Sequence, residues 1–167
     1  YHQGKLDKLH PDFWAARAAE IHGTGKPDRG IILIYLMQLL KLEEGEGVFQ
    51  AAGLPHAYLE GQNVELMANS DNVLRGGLTT KHIDVDALLE HIRFEYLPPQ
   101  IVKSMKSNNW LHYPTPANDF DLFTASPERG EELKFTSQAP EIMIVMRGAL
   151  RAETHSENLD LRKGQSI

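Results

Sequence analysis

Residues Gly47 to Ala68 read GVFQAAGLPHAYLEGQNVELMA, short apolar stretches broken by glycine and proline. Gly47 to Gln50 has the pattern of a short strand, Ala51 to Pro55 (AAGLP) that of a tight connection, and His56 to Ala68 that of two more strands about Gly61. Short strands between glycine turns predict a β sandwich or barrel. On the N-terminal side, Glu43 to Gly47 (EEGEG) is a polar turn, and Ile31 to Leu42 is an apolar run suited to a buried strand, with helix as the alternative. Gly23 to Gly30 is rich in turn residues. Pro11 to His22 places Phe13, Trp14, Ala18 and Ile21 on one helical face, with proline near its start and Gly23 beyond its end.

On the C-terminal side, Ile83 to Phe94 predicts an amphipathic helix capped by Asp84 or Asp86. Pro98, Pro99, Pro114 and Pro116 punctuate Leu97 to Pro116, the expected linker or crossing loop. Phe120 to Thr124, Glu132 to Thr136, Glu141 to Met146 and Leu150 to Thr154 follow as strands, and Arg162 to Ile167 as a turn entering a strand that is not completed. The expected division is a first domain with helices over residues 1–96, a connecting segment over 97–116 and a second antiparallel β domain over 117–167. No internal repeat or low-complexity segment interrupts the chain.

The chain has 167 residues, 41% hydrophobic, 24% charged and 8% aromatic, which excludes the disordered, collagenous and coiled-coil classes. Seventeen Lys and Arg stand against 23 Asp and Glu, a net charge of −6. That balance argues against nonspecific binding to nucleic acid or to anionic membranes, which need clustered positive charge. One small anionic substrate needs only one or two local cations. With no cysteine there is no disulfide, thiolate metal site or catalytic thiol, so any metal must use His, Asp, Glu or Gln. The longest apolar run, Ile31 to Leu40, is about half of the roughly 20 residues that cross a bilayer, and it contains Gln38. Tyr1 to His10 has no secretory-signal pattern. The two ends read as those of a fragment open on both sides.

Among eight histidines, His2, His10, His22, His112 and His155 sit in polar or terminal surroundings and are expected on the surface, as is His91 on its helix. No HExxH pair is present. His56 differs, because Pro55-His56 after a glycine turn would project an imidazole into the mouth of a barrel, where such folds hold metals or ligands. By spacing alone a satisfied core histidine is the commoner outcome.

The longer segment reads PHAYL from Pro55 to Leu59, Gly61, VELMA from Val64 to Ala68, NSDNVLR from Asn69 to Arg75, then Gly77-Leu78-Thr79 with Lys81 two residues on. This ordered string closely resembles the signature region of the type I mannose-6-phosphate isomerases, strongly over Ile31 to Phe94 and in layout elsewhere. The resemblance implies a mainly β fold of cupin-like antiparallel jelly-roll barrels with short helical insertions. It implies a cytoplasmic, zinc-dependent enzyme that interconverts mannose 6-phosphate and fructose 6-phosphate and feeds GDP-mannose synthesis. Carried over by position, His56 becomes the last histidine ligand of the zinc and Arg75 the active-site arginine. Glu65 becomes the glutamate facing the site, Tyr58 the substrate-side tyrosine beside the metal histidine, and Lys81 the lysine after the glycine-threonine loop. The family's other zinc ligands, a Gln-x-His pair and a glutamate, belong to an N-terminal segment that this sequence does not contain. The chain is therefore expected to be a C-terminal part, inactive alone. Gly76 stands where the family often has alanine, Thr80 where proline usually precedes the lysine, and Gln62-Asn63 where some members are acidic.

These residue types suit the chemistry. Aldose–ketose isomerisation moves a proton between C1 and C2 through an enediol, and so needs a base, an electrophile for the oxygens and a clamp for the phosphate. Zinc would polarise the sugar oxygens, Arg75 offers a planar charged fork for a developing enediolate, and Lys81 a point charge for the phosphate. Glu65 is either the base or a residue that fixes its neighbours. Without the resemblance, Arg75 would be expected to pair with Asp71 or Asp84, Glu65 and Lys81 to be solvated, Tyr58 and Met67 to be core, and Ser70-Asp71-Asn72 to be a capping turn. Two rival functions stand beside the isomerase: a non-catalytic cupin-like module that binds sugar phosphates, and an isomerase or bifunctional enzyme for another phosphosugar.

Overall fold

The computed structural model describes residues 4–22 and 25–167; the expected surface histidine His2 and the expected helix stop at Gly23 lie outside the described residues. The chain divides into two units, Tyr1–Ser126 and Pro127–Ile167.

In the first unit, helix α1 (Pro11–His22) forms as the sequence predicts, opened by a proline whose missing N–H costs nothing at that position. Its buried residues, Trp14 and Ala15, join Ile34 in a small core against which Phe13, Ala18, Ile31, Leu39, Leu59 and Leu78 pack. Ile21, expected on the same face, is exposed. The apolar run that follows is helical where a strand was expected, a 3-10 turn over Arg29–Ile32 leading into α2 (Leu33–Leu36). Asp28 starts it, its side chain accepting the Gly30 N–H at 2.7 Å. Periodicity cannot separate strand from helix in so short an apolar run; the cap decides it.

Strand β1 (Glu46–Phe49) pairs antiparallel with β2 (Gln100–Lys103), from Glu46↔Lys103 to Phe49↔Gln100. Strands β3 (Met105–Ser107), β4 (Trp110–Tyr113) and β5 (Leu122–Thr124) form a second antiparallel sheet in that order. Three strands therefore occupy the segment expected to be a linker. Its prolines bound the strands, Pro98 and Pro99 just before β2 and Pro114 just after β4, so none of them removes a ladder donor. Asn108, at φ 56, makes the left-handed turn between β3 and β4 that asparagine tolerates.

No strand forms over His56 to Ala68, where two were expected. A strand exists only with a partner, and none of the described residues pairs with this stretch; a bend at Glu60-Gly61, with Gly61 at φ 120, divides it. Helix α3 (Val85–His91) is the predicted amphipathic helix, shortened at both ends. Of its two candidate caps Asp84 serves, accepting the Ala87 N–H at 3.0 Å.

In the second unit, β6 (Ala149–Glu153) and β7 (Asn158–Arg162) form an antiparallel hairpin whose return strand the sequence did not announce. Glu132 to Thr136 is not a strand, and Glu141 to Met146 contributes only the bridge Ile144↔Ser166. Met143 and Ile167 exchange both backbone hydrogen bonds, at 2.9 and 3.0 Å, so the last residues do find a partner. Val145 and Leu161 are the buried residues here. The fold class is thus antiparallel β with short helices, built from short open ladders. No helix among the described residues is long and apolar enough to cross a membrane.

Candidate functional site

The candidate residues lie on two limbs that the small core holds in place. Leu59, three residues after His56, and Leu78, three residues before Lys81, both pack on the cluster of Trp14, Ala15 and Ile34. Apolar side chains therefore fix the limbs, and the polar ones between them face solvent.

On the first limb, His56 is exposed, which removes the core-histidine reading. Its Nδ1 lies 3.2 Å from the Leu54 carbonyl oxygen. A carbonyl only accepts, so the Nδ1–H donates and the Nε2 lone pair is left free, the tautomer in which a histidine binds a metal through Nε2. The Tyr58 ring stands edge-on to the imidazole, centroids 5.9 Å apart and planes at 63°. After the bend, the Glu65 carboxylate comes close enough to act on Tyr58. Partial desolvation raises the Tyr58 pKa, the charge of the Glu65 carboxylate and its hydrogen bond add to the rise, and Asn63 opposes it. Tyr58 and Met67, core by default expectation, are 59% and 52% exposed. His56 and Tyr58 thus stand ring to ring, with the Glu65 carboxylate acting on Tyr58 beside them.

On the second limb, the Ser70 hydroxyl accepts the Asn72 N–H at 3.3 Å, the local side-chain-to-backbone bond expected of this run, though Ser70-Asp71-Asn72 caps no described helix. Arg75 is exposed and, among the described residues, pairs with neither Asp71 nor Asp84, which removes the scaffold reading. Beyond it, Gly77 and Leu78 both have positive φ, 147 and 51, and this tight passage seats Leu78 on the core. The exposed Lys81 donates its backbone N–H to the Thr79 hydroxyl at 3.1 Å. No hydrogen bond, ion pair or ring contact among the described residues joins Arg75 or Lys81 to the His56 group. The structure brings together three of the five candidates and leaves the two cations apart.

Two participants escaped the sequence. Asn63, noted only for replacing an acidic position, lies near enough to oppose the rise of the Tyr58 pKa. Glu60 meets Lys8 and Arg17, 52 and 43 residues away, and nothing local could have shown it. No group of three His, Asp or Glu able to hold a metal occurs among the described residues. Zinc takes three or four protein ligands, so His56 fits one ligand position and the rest of the set is not on the described chain.

No family model matches the chain. It is 36% identical over 141 residues to mannose-6-phosphate isomerase of Escherichia coli K12, a match covering 83% of this chain and 36% of that protein. It is 33% identical over 153 residues to the human mannose-6-phosphate isomerase, covering 86% of this chain and 36% of that one. The chain thus spans about a third of the length of these relatives. Its fold superposes on a crystal structure of mannose 6-phosphate isomerase from Salmonella typhimurium bound to fructose 6-phosphate and zinc, with TM-score 0.72 and 28% identity over 97% of this chain and 46% of that one. Sequence likeness over most of the chain and likeness of fold agree, and the chain belongs to the mannose-6-phosphate isomerase family.

Proposed function

We propose that this chain carries part of the active site of an enzyme that interconverts mannose 6-phosphate and fructose 6-phosphate through an enediol, in the cytoplasm. The observation that carries the reading is the His56 group: an imidazole turned to the Leu54 carbonyl so that Nε2 is free, beside Tyr58 and Glu65. The relatives, and the substrate and metal named for the Salmonella structure, support the same reaction.

His56 would supply one ligand through Nε2. A zinc ion bound there supplies polarisation of the sugar oxygens. Arg75, exposed and unpaired among the described residues, presents its guanidinium to an oxygen that gains charge in the enediolate. Lys81 meets the phosphate as a point charge. Tyr58 lines the substrate side, and Glu65 either removes the proton at C2 or holds the Tyr58 hydroxyl in place; the pull of its carboxylate on Tyr58 supports the second role.

The test is coupled detection of fructose 6-phosphate formed from mannose 6-phosphate, in protein completed to the length of the relatives, with and without zinc, and in its Arg75→Ala variant. The expected result is zinc-dependent turnover that falls by about 10²-fold or more in the variant. A folded, zinc-loaded protein without turnover that still binds the sugar phosphate would establish the non-catalytic binding module instead.

A further inference from the structure

Glu60 stands at the bend between Tyr58 and Glu65 and is the meeting point of two cations from the start of the chain. Lys8 Nζ lies 2.5 Å from its Oε1, and Arg17 Nη1 donates to its Oε2. Both cations are shelved on adjacent aromatic rings of α1. Lys8 Nζ is 5.9 Å from the centre of the Phe13 ring, and the Arg17 guanidinium carbon is 5.5 Å from that of Trp14. The two rings meet edge to face, centroids 5.0 Å apart. The Trp14 indole N–H donates to the Lys8 carbonyl at 2.7 Å, which ties the residues before α1 to the helix itself.

An isolated exposed ion pair orders little, because two long side chains lose freedom for one screened contact. Here the rings hold both cations beforehand, so less freedom is lost when the carboxylate arrives. Leu59, next to Glu60, is seated on the core that contains Trp14. The bend is therefore pinned from two sides, by an apolar contact and by a carboxylate shared between two positioned cations. The bend lies between Tyr58 and Glu65, and its place sets where the returning chain carries the Glu65 carboxylate relative to Tyr58.

We propose that Glu60 is a positioning residue of the candidate site: clamped by Lys8 and Arg17, it fixes the bend that holds the rings of His56 and Tyr58 and the returning Glu65 in one arrangement. The inference rests on the reading of that group as the site. Glu60 touches no substrate and acts through its neighbours.

The decisive measurement is the nuclear Overhauser effect between the His56 and Tyr58 rings, in the full chain, its Glu60→Gln variant and the double variant Lys8→Gln/Arg17→Gln. The ring contact is expected to weaken severalfold in both variants while the amide signals of α1 and β1 stay in place. Glu60→Asp, which keeps the charge, is expected to restore part of it. A ring contact of full strength in Glu60→Gln overturns the proposal; should that variant not fold, full strength in the double variant overturns it equally. Where turnover is measured, kcat in Glu60→Gln is expected to fall by about tenfold with KM unchanged. The ring contact is read without substrate, so an inactive parent protein refutes the isomerase reading alone, and an unchanged ring contact refutes the clamp alone.

Discussion

Gly30 and Gly77 meet backbone to backbone. A Cβ on Gly30 would lie 3.0 Å from the Cα of Gly77, and one on Gly77 would lie 2.9 Å from the Cα of Gly30. This contact presses the limb that carries Arg75 against the 3-10 turn started by Asp28, and Leu78 then enters the core.

Neighbouring glycines in that limb should consequently respond in opposite ways. Gly77→Ala meets backbone that cannot yield and places a side chain at φ 147, so it is expected to cost about 1–3 kcal/mol. Gly76→Ala meets only Leu33 Cδ1 at an ordinary 3.7 Å and has no positive φ, so it is expected to be neutral or to stabilise by up to about 1 kcal/mol. Urea unfolding of both variants checks the pair, and equal midpoints would show that the contact does not constrain the limb.

His56→Ala should remove a metal ligand and leave the fold intact, because the imidazole is exposed and makes no core contact. In protein completed to the length of the relatives, zinc affinity is expected to fall by more than the about 10–100-fold that loss of an outer partner costs. Equilibrium dialysis against buffered zinc measures it, and an unchanged zinc content would remove His56 from the ligand set.

Acid should loosen two contacts in a defined direction. Hydrogen bonds from Lys8 and then Arg17 hold the Glu60 carboxyl below its ordinary 4.5, and Arg151 holds Asp160 below its ordinary 3.8. A carboxylate with a depressed folded pKa stabilises the fold fully above its ordinary value, and the contribution is lost as pH falls through the folded pKa. Both contributions are therefore intact at neutral pH and fade only below those values. Amide protection in the β6–β7 hairpin, which Asp160 and Arg151 bridge at 2.8 Å, taken relative to the intrinsic exchange rate at each pH, is expected to fall only in that acid range. Loss of protection already near neutral pH would contradict the assignment.

Local signals were legible in the sequence where one residue type settles the backbone. Pro11 and the apolar face of α1, the Asp84 cap of α3 and the Gly47 to Gln50 strand all follow from neighbours within a turn or two. The order PHAYL to Lys81 carried the family and the candidate residues. Pairing was harder to see. Prolines masked β2 to β4 because proline marks the end of a strand as readily as a loop, and Ile31 to Leu36 carried no period that could prefer strand over helix. The convergence of Lys8 and Arg17 on Glu60 is a tertiary fact between residues that share no local pattern.

The pairing of Phe49 with Gln100 has a consequence for how the protein is made. Every candidate residue, and α3 with them, lies in the stretch between those two partners. Closing a loop of that length costs roughly 3.5 kcal/mol in chain entropy beyond a constant term, and each doubling adds only about 0.6. During synthesis β1 leaves the ribosome well ahead of β2, a wait of roughly 3–10 s at ordinary elongation rates. Through that interval Leu59 and Leu78 already have their partners Trp14, Ala15 and Ile34 in the synthesised chain. The candidate residues of this protein are thus held by a core made ahead of them, and the ladder that closes the stretch comes after.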